Sequence, residues 1–201
     1  MAVINIRKKE VQIKIVYVGP GRGGKTTNLE HLFKTIRHRI QSDMVSIKTH
    51  GDRTLFFDFL PFDLGTIQGY RIKTQLYTVP GQVKYNATRK LVLKGVDGVV
   101  FVADSMVVMR EKNIQSLENL RENLAFYDID MYKFPIVLQY NKRDLNAPDI
   151  PLLDITTLEQ DLNAKLKAPY FEASAIRGDN VIATVKKIIS QTIVSLQEHL
   201  A

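Results

Sequence analysis

No cysteine occurs anywhere in the 201 residues. That absence excludes disulfides, thiolate metal sites and prenyl or palmitoyl anchors. No apolar run approaches the roughly 20 residues needed to cross a bilayer, and no leader peptide is visible. The opening Met1-Ala2-Val3 lacks the second-position glycine that myristoylation requires. No lipid anchor is therefore expected, and a cytoplasmic location follows as the expectation. Internal repeats, low-complexity stretches and interdomain linkers are missing too, so residues 1–201 are expected to form one domain. Basic charge is what the chain has in excess, with a net +7. The densest clusters, Arg7-Lys8-Lys9, Arg37-His38-Arg39 and Lys186-Lys187, are short, scattered and not interleaved with aromatics. This distribution argues against nucleic acid as a partner and for a solvated basic surface.

Hydrophobic residues make up 45% of the chain, enough for a substantial core. Strand-like and helix-like patterns alternate from end to end, which predicts an α/β fold with a mostly parallel central sheet and helices on both faces. Val11 to Val18 reads as the first strong strand, with Val3 to Ile6 as an edge strand before it. Leu55 to Leu60 and Tyr70 to Tyr77 read as a hairpin turning at Asp63-Leu64-Gly65. Gly98 to Ala103 and Pro135 to Tyr140 are continuous apolar runs that suit strands buried on both faces. Tyr170 to Ala173 is a short last strand. Leu29, Leu32, Phe33, Ile36 and Ile40 share a helical face. So do Leu117, Leu120, Leu124 and Tyr127, and again Val181, Val185, Ile188, Ile189 and Leu196.

The most specific pattern is Gly19-Pro20-Gly21-Arg22-Gly23-Gly24-Lys25-Thr26, set between the first strong strand and the first helix. Glycines at such a turn let backbone N–H groups converge on an anion. The helix that follows adds unpaired N–H groups and the positive end of its dipole. This is a phosphate-cradling loop. Lys25 is expected to reach the terminal phosphates and the Thr26 hydroxyl to bind Mg²⁺. Gly19, Gly21, Gly24 and Thr27 complete the expected phosphate contacts.

Three later segments refine the ligand. Asn141-Lys142-Arg143-Asp144 follows a buried strand, where ligands of open α/β sheets sit. A carboxylate there can accept both the N1–H and the exocyclic amine of guanine, a pair adenine does not offer. Asp144 fits that role. Asn141 can tie the segment to the base and to the phosphate loop, and the Lys142 stem can cover the base plane. Ala173-Ser174-Ala175 follows the last strand, and the Ala175 N–H would donate to guanine O6. On its residues alone this is equally a small-residue turn. Thr78-Val79-Pro80-Gly81-Gln82 places a glycine N–H near a γ-phosphate and a glutamine that can orient water. Its Pro-Gly pair is by itself ordinary turn punctuation.

Taken in order, Gly19–Thr26, Thr78–Gln82, Asn141–Asp144 and Ser174–Ala175 resemble the Ras-like small GTPases over nearly the whole chain. The Thr-Val-Pro-Gly-Gln form, together with Leu93–Ser105, is similar to the MglA family of bacterial gliding-motility and cell-polarity GTPases. The resemblance implies a P-loop small-GTPase fold, GTP or GDP as ligand and Mg²⁺ as cofactor. It implies slow GTP hydrolysis stimulated by an MglB-type roadblock homodimer, with an exchange factor, polarity effectors and recruitment to cell poles. It implies Gln82 and Arg53 as catalytic residues, Arg53 being an arginine finger supplied in cis. On sequence alone Arg53 reads as a solvated loop arginine. Thr78 stands where most relatives carry a magnesium-holding aspartate, so metal binding is expected to lean on Thr26 and on Thr54. The resemblance further implies a strand shift on activation, expected in the stretch from Thr49 to Tyr70. Two other functions stay open on the residues: a nucleotide-loaded scaffold with negligible hydrolysis, and an ATPase, which conflicts with Asp144.

Overall fold

The protein is described from a computed structural model covering residues 3–5, 8–36, 45–49, 53–67, 69–81, 85–145 and 149–200. Eight strands form one sheet: β1 (Val3–Asn5), β2 (Glu10–Val18), β3 (Val45–Thr49), β4 (Arg53–Ile67), β5 (Tyr70–Thr78), β6 (Gly98–Asp104), β7 (Ile136–Asn141) and β8 (Tyr170–Glu172). The spatial order is β3-β4-β5-β2-β6-β7-β8, with β1 pairing antiparallel to β2. The run from β5 to β8 is parallel, whereas β3, β4 and β5 pair antiparallel. The mostly parallel α/β architecture expected from the alternating pattern is therefore present.

Side-chain alternation explains the two-sided core. On β2, Ile13, Ile15 and Tyr17 pack with Leu29 and Leu32 of α1 (Lys25–Ile36) and with Val181, Val185, Ile188 and Ile189 of α5 (Val181–Leu200). Val16 and Val18 point the other way, toward Leu93 of α2 (Asn86–Leu93) and Leu120 and Leu124 of α3 (Arg110–Ala125). The central strand β6 is buried along its whole length, which is why Gly98 to Asp104 carries no alternation. Phe101 is fully buried, and truncating it to alanine would cost about 3–5 kcal/mol.

One sequence expectation needs correction. Asp63-Leu64-Gly65 is not the hairpin turn. It lies inside β4, where the register against β5 shifts between Asp63 and Thr66, and the chain reverses between Ile67 and Tyr70. A Gly-containing triplet signals a bulge as readily as a turn. Gly178 stands just before the last helix. It sits in the preceding turn at φ 87°, and α5 starts at Val181. Ile40 lies outside the described residues. Strand β3 and helix α2 were not anticipated.

Candidate functional site

Five parallel strands end along one edge of the sheet, at Val18, Thr78, Asp104, Asn141 and Glu172. The loops that follow them carry every expected ligand-binding segment of the parallel strands. This is the carboxyl-end crevice where α/β sheets bind ligands.

The phosphate loop is held from within. Lys25 is buried, and its Nζ donates to the carbonyls of Gly19 at 3.0 Å and Pro20 at 2.7 Å. The ammonium is thus curled over its own loop. Gly24 takes φ 99°, and a Cβ there would lie 2.2 Å from Asn141 Nδ2. Only glycine meets both conditions. Thr26 and Thr27 follow in the first turn of α1, half-buried, and Gly21 is likewise half-buried.

Asn141 joins two of the loops. Its Nδ2 donates to the Gly23 carbonyl at 2.8 Å, and its Oδ1 accepts from the Ala175 N–H at 2.8 Å. The expected tie to the phosphate loop is thus in place. The Ala175 N–H is already engaged, so a guanine O6 arriving there would share that donor with Asn141. Ser174 is fully buried, and its Oγ accepts from the Arg177 N–H at 3.1 Å, which closes the turn. Lys142, at φ 70°, sets its Nζ 2.6 Å from Oδ2 of Asp104, a fully buried carboxylate. That ion pair fixes the lysine stem across the crevice. Arg143 bonds Glu172 at 3.1 Å and the Leu153 carbonyl at 2.7 Å. Asp144 follows in the same turn, half-buried. Among the described residues no hydrogen bond or ion pair to its carboxylate is formed.

The segment after β5 differs. Thr78 is buried, and Gly81 packs so tightly that a Cβ there would lie 2.2 Å from the Gly21 nitrogen. Gln82 lies outside the described residues. Arg53 and Thr54 are placed as backbone at the start of β4, paired in register with Thr49 and Lys48, and their side chains lie outside the description.

Sequence reasoning missed Arg89. It lies on α2, buried, with Nε donating to Asn119 Oδ1 at 2.9 Å and Nη1 to the Pro80 carbonyl at 3.0 Å. Burial lowers its pKa from the usual guanidinium value, though it stays charged at neutral pH. Asn86, Asn119 and Asn123 complete the network between α2 and α3. Arg89 thereby holds the backbone just before Gly81. No motif spacing reveals it; only an arginine on the inward face of a helix hints at it. A cleft of about 910 Å³ opens beside it, between Gly21, Arg22, Gly81 and α3.

Among the described residues no cluster of three or more His, Cys, Asp or Glu side chains could hold a metal, and no helix is long and apolar enough to cross a membrane. The Ras family profile matches residues 14–194. The chain is 47% identical to the mutual gliding-motility protein MglA of Myxococcus xanthus over 98% of this chain and 99% of that protein. It is 28% identical to the Ras-related protein Rab-11A of Dictyostelium discoideum, over 89% of this chain and 74% of the other. To the Ras-related protein RABG3d of Arabidopsis thaliana it is 26% identical, over 90% and 82%.

Proposed function

The chain belongs to the Ras family and is a GTP-binding, GTP-hydrolysing switch of the MglA type, and from that premise we propose that it governs bacterial cell polarity and gliding motility through partners that read its nucleotide state. The observation that supports the nucleotide reading is the Asn141 side chain, which ties the Gly23 carbonyl of the phosphate loop to the Ala175 N–H beside the turn that holds Lys142 and Asp144.

In this reading Asp144 accepts the two donors of the guanine edge. The Lys142 stem, held by Asp104, covers the base plane, and Lys25 with the loop N–H groups neutralises phosphate charge. Mg²⁺ fits the donor set. It is a hard cation that keeps several waters and binds substrate phosphates, and the hydroxyl that follows the loop lysine is a usual protein ligand for it. Thr26, in the first turn of α1, and Thr54 would hold it. Thr78, buried at the strand end, supplies no charge there. When bound, the ion would offset negative charge on the phosphates.

Hydrolysis needs Gln82 to orient water and Arg53 to meet charge developing on the γ-phosphate. Gly81 would contact the γ-phosphate through its backbone. Both catalytic groups come from segments outside the parallel core. A partner that fixes them together acts as activator, and an MglB-type roadblock dimer is the proposed one. An exchange factor, polarity effectors and partner-mediated recruitment to the poles complete the proposal. The test is single-turnover phosphate release from GTP, alone and with a roadblock dimer, together with ATP competition. Slow release that the dimer accelerates, with ATP competing poorly, is expected. Equal competition by ATP, or no acceleration, overturns it.

A further inference from the structure

Strand β7 carries two amides on the same face, Asn141 and, two residues earlier, Gln139. Asn141 belongs to the base-recognition segment and clasps the phosphate loop to the Ala175 turn. Gln139 interrupts an otherwise apolar strand, is fully buried, and has no part in the mechanism above. A buried glutamine is costly unless its polar atoms are paired. Its pairing has a direction. Asn28 on α1 donates Nδ2 to the Gly24 carbonyl of the phosphate loop at 2.9 Å, which turns Asn28 Oδ1 inward. Gln139 Nε2 donates to that oxygen at 3.0 Å and to Thr184 Oγ1 on α5 at 3.3 Å. Thr184 in turn donates to the Asn180 carbonyl at 2.7 Å, and Asn180 Nδ2 donates to the Glu172 carbonyl at 2.8 Å. Asn28 and Thr184 are fully buried as well, and Gln139 Oε1 is left without a partner.

We infer that Gln139, Asn28 and Thr184 form a second clasp beneath the Asn141 clasp, and that they are positioning residues for the nucleotide. The upper clasp grips the Gly23 carbonyl and the Ala175 N–H. The lower one grips the Gly24 carbonyl and the start of α5. Together they fix the two halves of the crevice, phosphate loop and base loops, at two heights. Rotation of the loop about Asn141 alone would move Lys25 and Thr26 relative to the base, and the lower clasp removes that freedom. The two bonds from Gln139 Nε2 support this: a side chain present only to fill space would be apolar, and this one donates to two acceptors on different helices, Asn28 Oδ1 and Thr184 Oγ1.

The inference rests on the crevice binding guanine nucleotide. If the native chain fails to bind fluorescent GDP, that reading fails before the clasp is tested. The experiment uses the full chain with Asn28→Leu, Gln139→Leu and the double variant. Urea unfolding at a series of GDP concentrations, extrapolated to none, gives fold stability separately from affinity. Stopped-flow release of fluorescent GDP gives positioning. Each single change strands a buried polar partner and should lower both stability and retention. Replacing both partners with apolar groups should restore most of the stability. The double variant should nonetheless release GDP roughly tenfold faster than the native chain, the loss of about one hydrogen bond's constraint. Its discrimination between GDP and ADP should be unchanged, because Asp144 is untouched. A double variant that regains the native release rate along with its stability would reduce the clasp to packing. So would single variants that lose stability but release GDP at the native rate.

Discussion

The two halves of the sheet are built on different terms. From β5 to β8 the strands are parallel, and their registers run without interruption. From β3 to β5 they are antiparallel, and the register shifts in both pairs, between Ser46 and Lys48 and between Asp63 and Thr66. The parallel half is covered by helices on both faces, so a one-residue slip would turn apolar side chains out of the core. In the antiparallel half Pro61, beyond the stretch of β4 that pairs with β3, can give no N–H to a ladder. The contrast separates two tasks. Under the proposed function a receptor for base and phosphate needs atoms that stay put, and Lys25, Asn141 and Lys142, just beyond or at the ends of β2 and β7, would supply them. A switch needs a segment that can change its pairing, and under the proposed function β3 and β4, with their interrupted registers, would be that segment. The strand shift proposed for activation falls in that half.

Variants can break the contrast, beginning with the largest effect. Arg53→Ala should lower partner-stimulated turnover by roughly 10³-fold or more while leaving GDP and GTP affinity nearly intact, measured by single-turnover phosphate release and nucleotide titration. Lost affinity instead would mean that the antiparallel half belongs to the receptor. Asp144→Asn should relax the preference for GTP over ATP by roughly 10²-fold, since it removes two hydrogen bonds to a charged acceptor. Competition binding reads this directly, and turnover of bound GTP should change little.

Arg89→Met tests the boundary between the halves. Arg89 ties the Pro80 carbonyl to α3, so its loss frees the backbone that carries Gly81 and Gln82. Turnover should fall about tenfold and stability by about 1–3 kcal/mol, with GDP release changed less than about twofold. A large change in GDP release would place Arg89 with the receptor. The smallest effect is expected at Gly69, which turns the β4–β5 hairpin at φ 82° with open space around it. Gly69→Ala should cost about 1 kcal/mol through backbone strain alone. Its GDP affinity should be unaltered, as read by urea unfolding and titration.

The parallel half was also the legible half. Continuous apolar runs mark β6 and β7 because both their faces are buried, and the phosphate loop and Asn141–Asp144 sit at fixed places relative to them. In the antiparallel half the β4–β5 hairpin was legible, but its turn and β3 were not. Val45–Thr49 is too short for its alternation to stand out, and Asp63-Leu64-Gly65 has turn composition but lies at a register shift. Arg89 and Gln139 were illegible for a different reason. Gln139 is a lone polar residue in an apolar strand and Arg89 stands among polar neighbours on its helix, and the role of each depends on partners far away in sequence, Asn28 for one and Asn119 for the other. Asp104 was visible only as part of a resembling stretch, although its buried carboxylate anchors Lys142.

Amide hydrogen exchange on the chain loaded with GDP and then with a non-hydrolysable GTP analogue tests the division of labour most directly. Protection should change in β3, β4 and the segment after Thr78, and stay constant in β6, β7 and β8. Changes concentrated in β6 to β8, or no difference between the two nucleotides in β3 and β4, would contradict it.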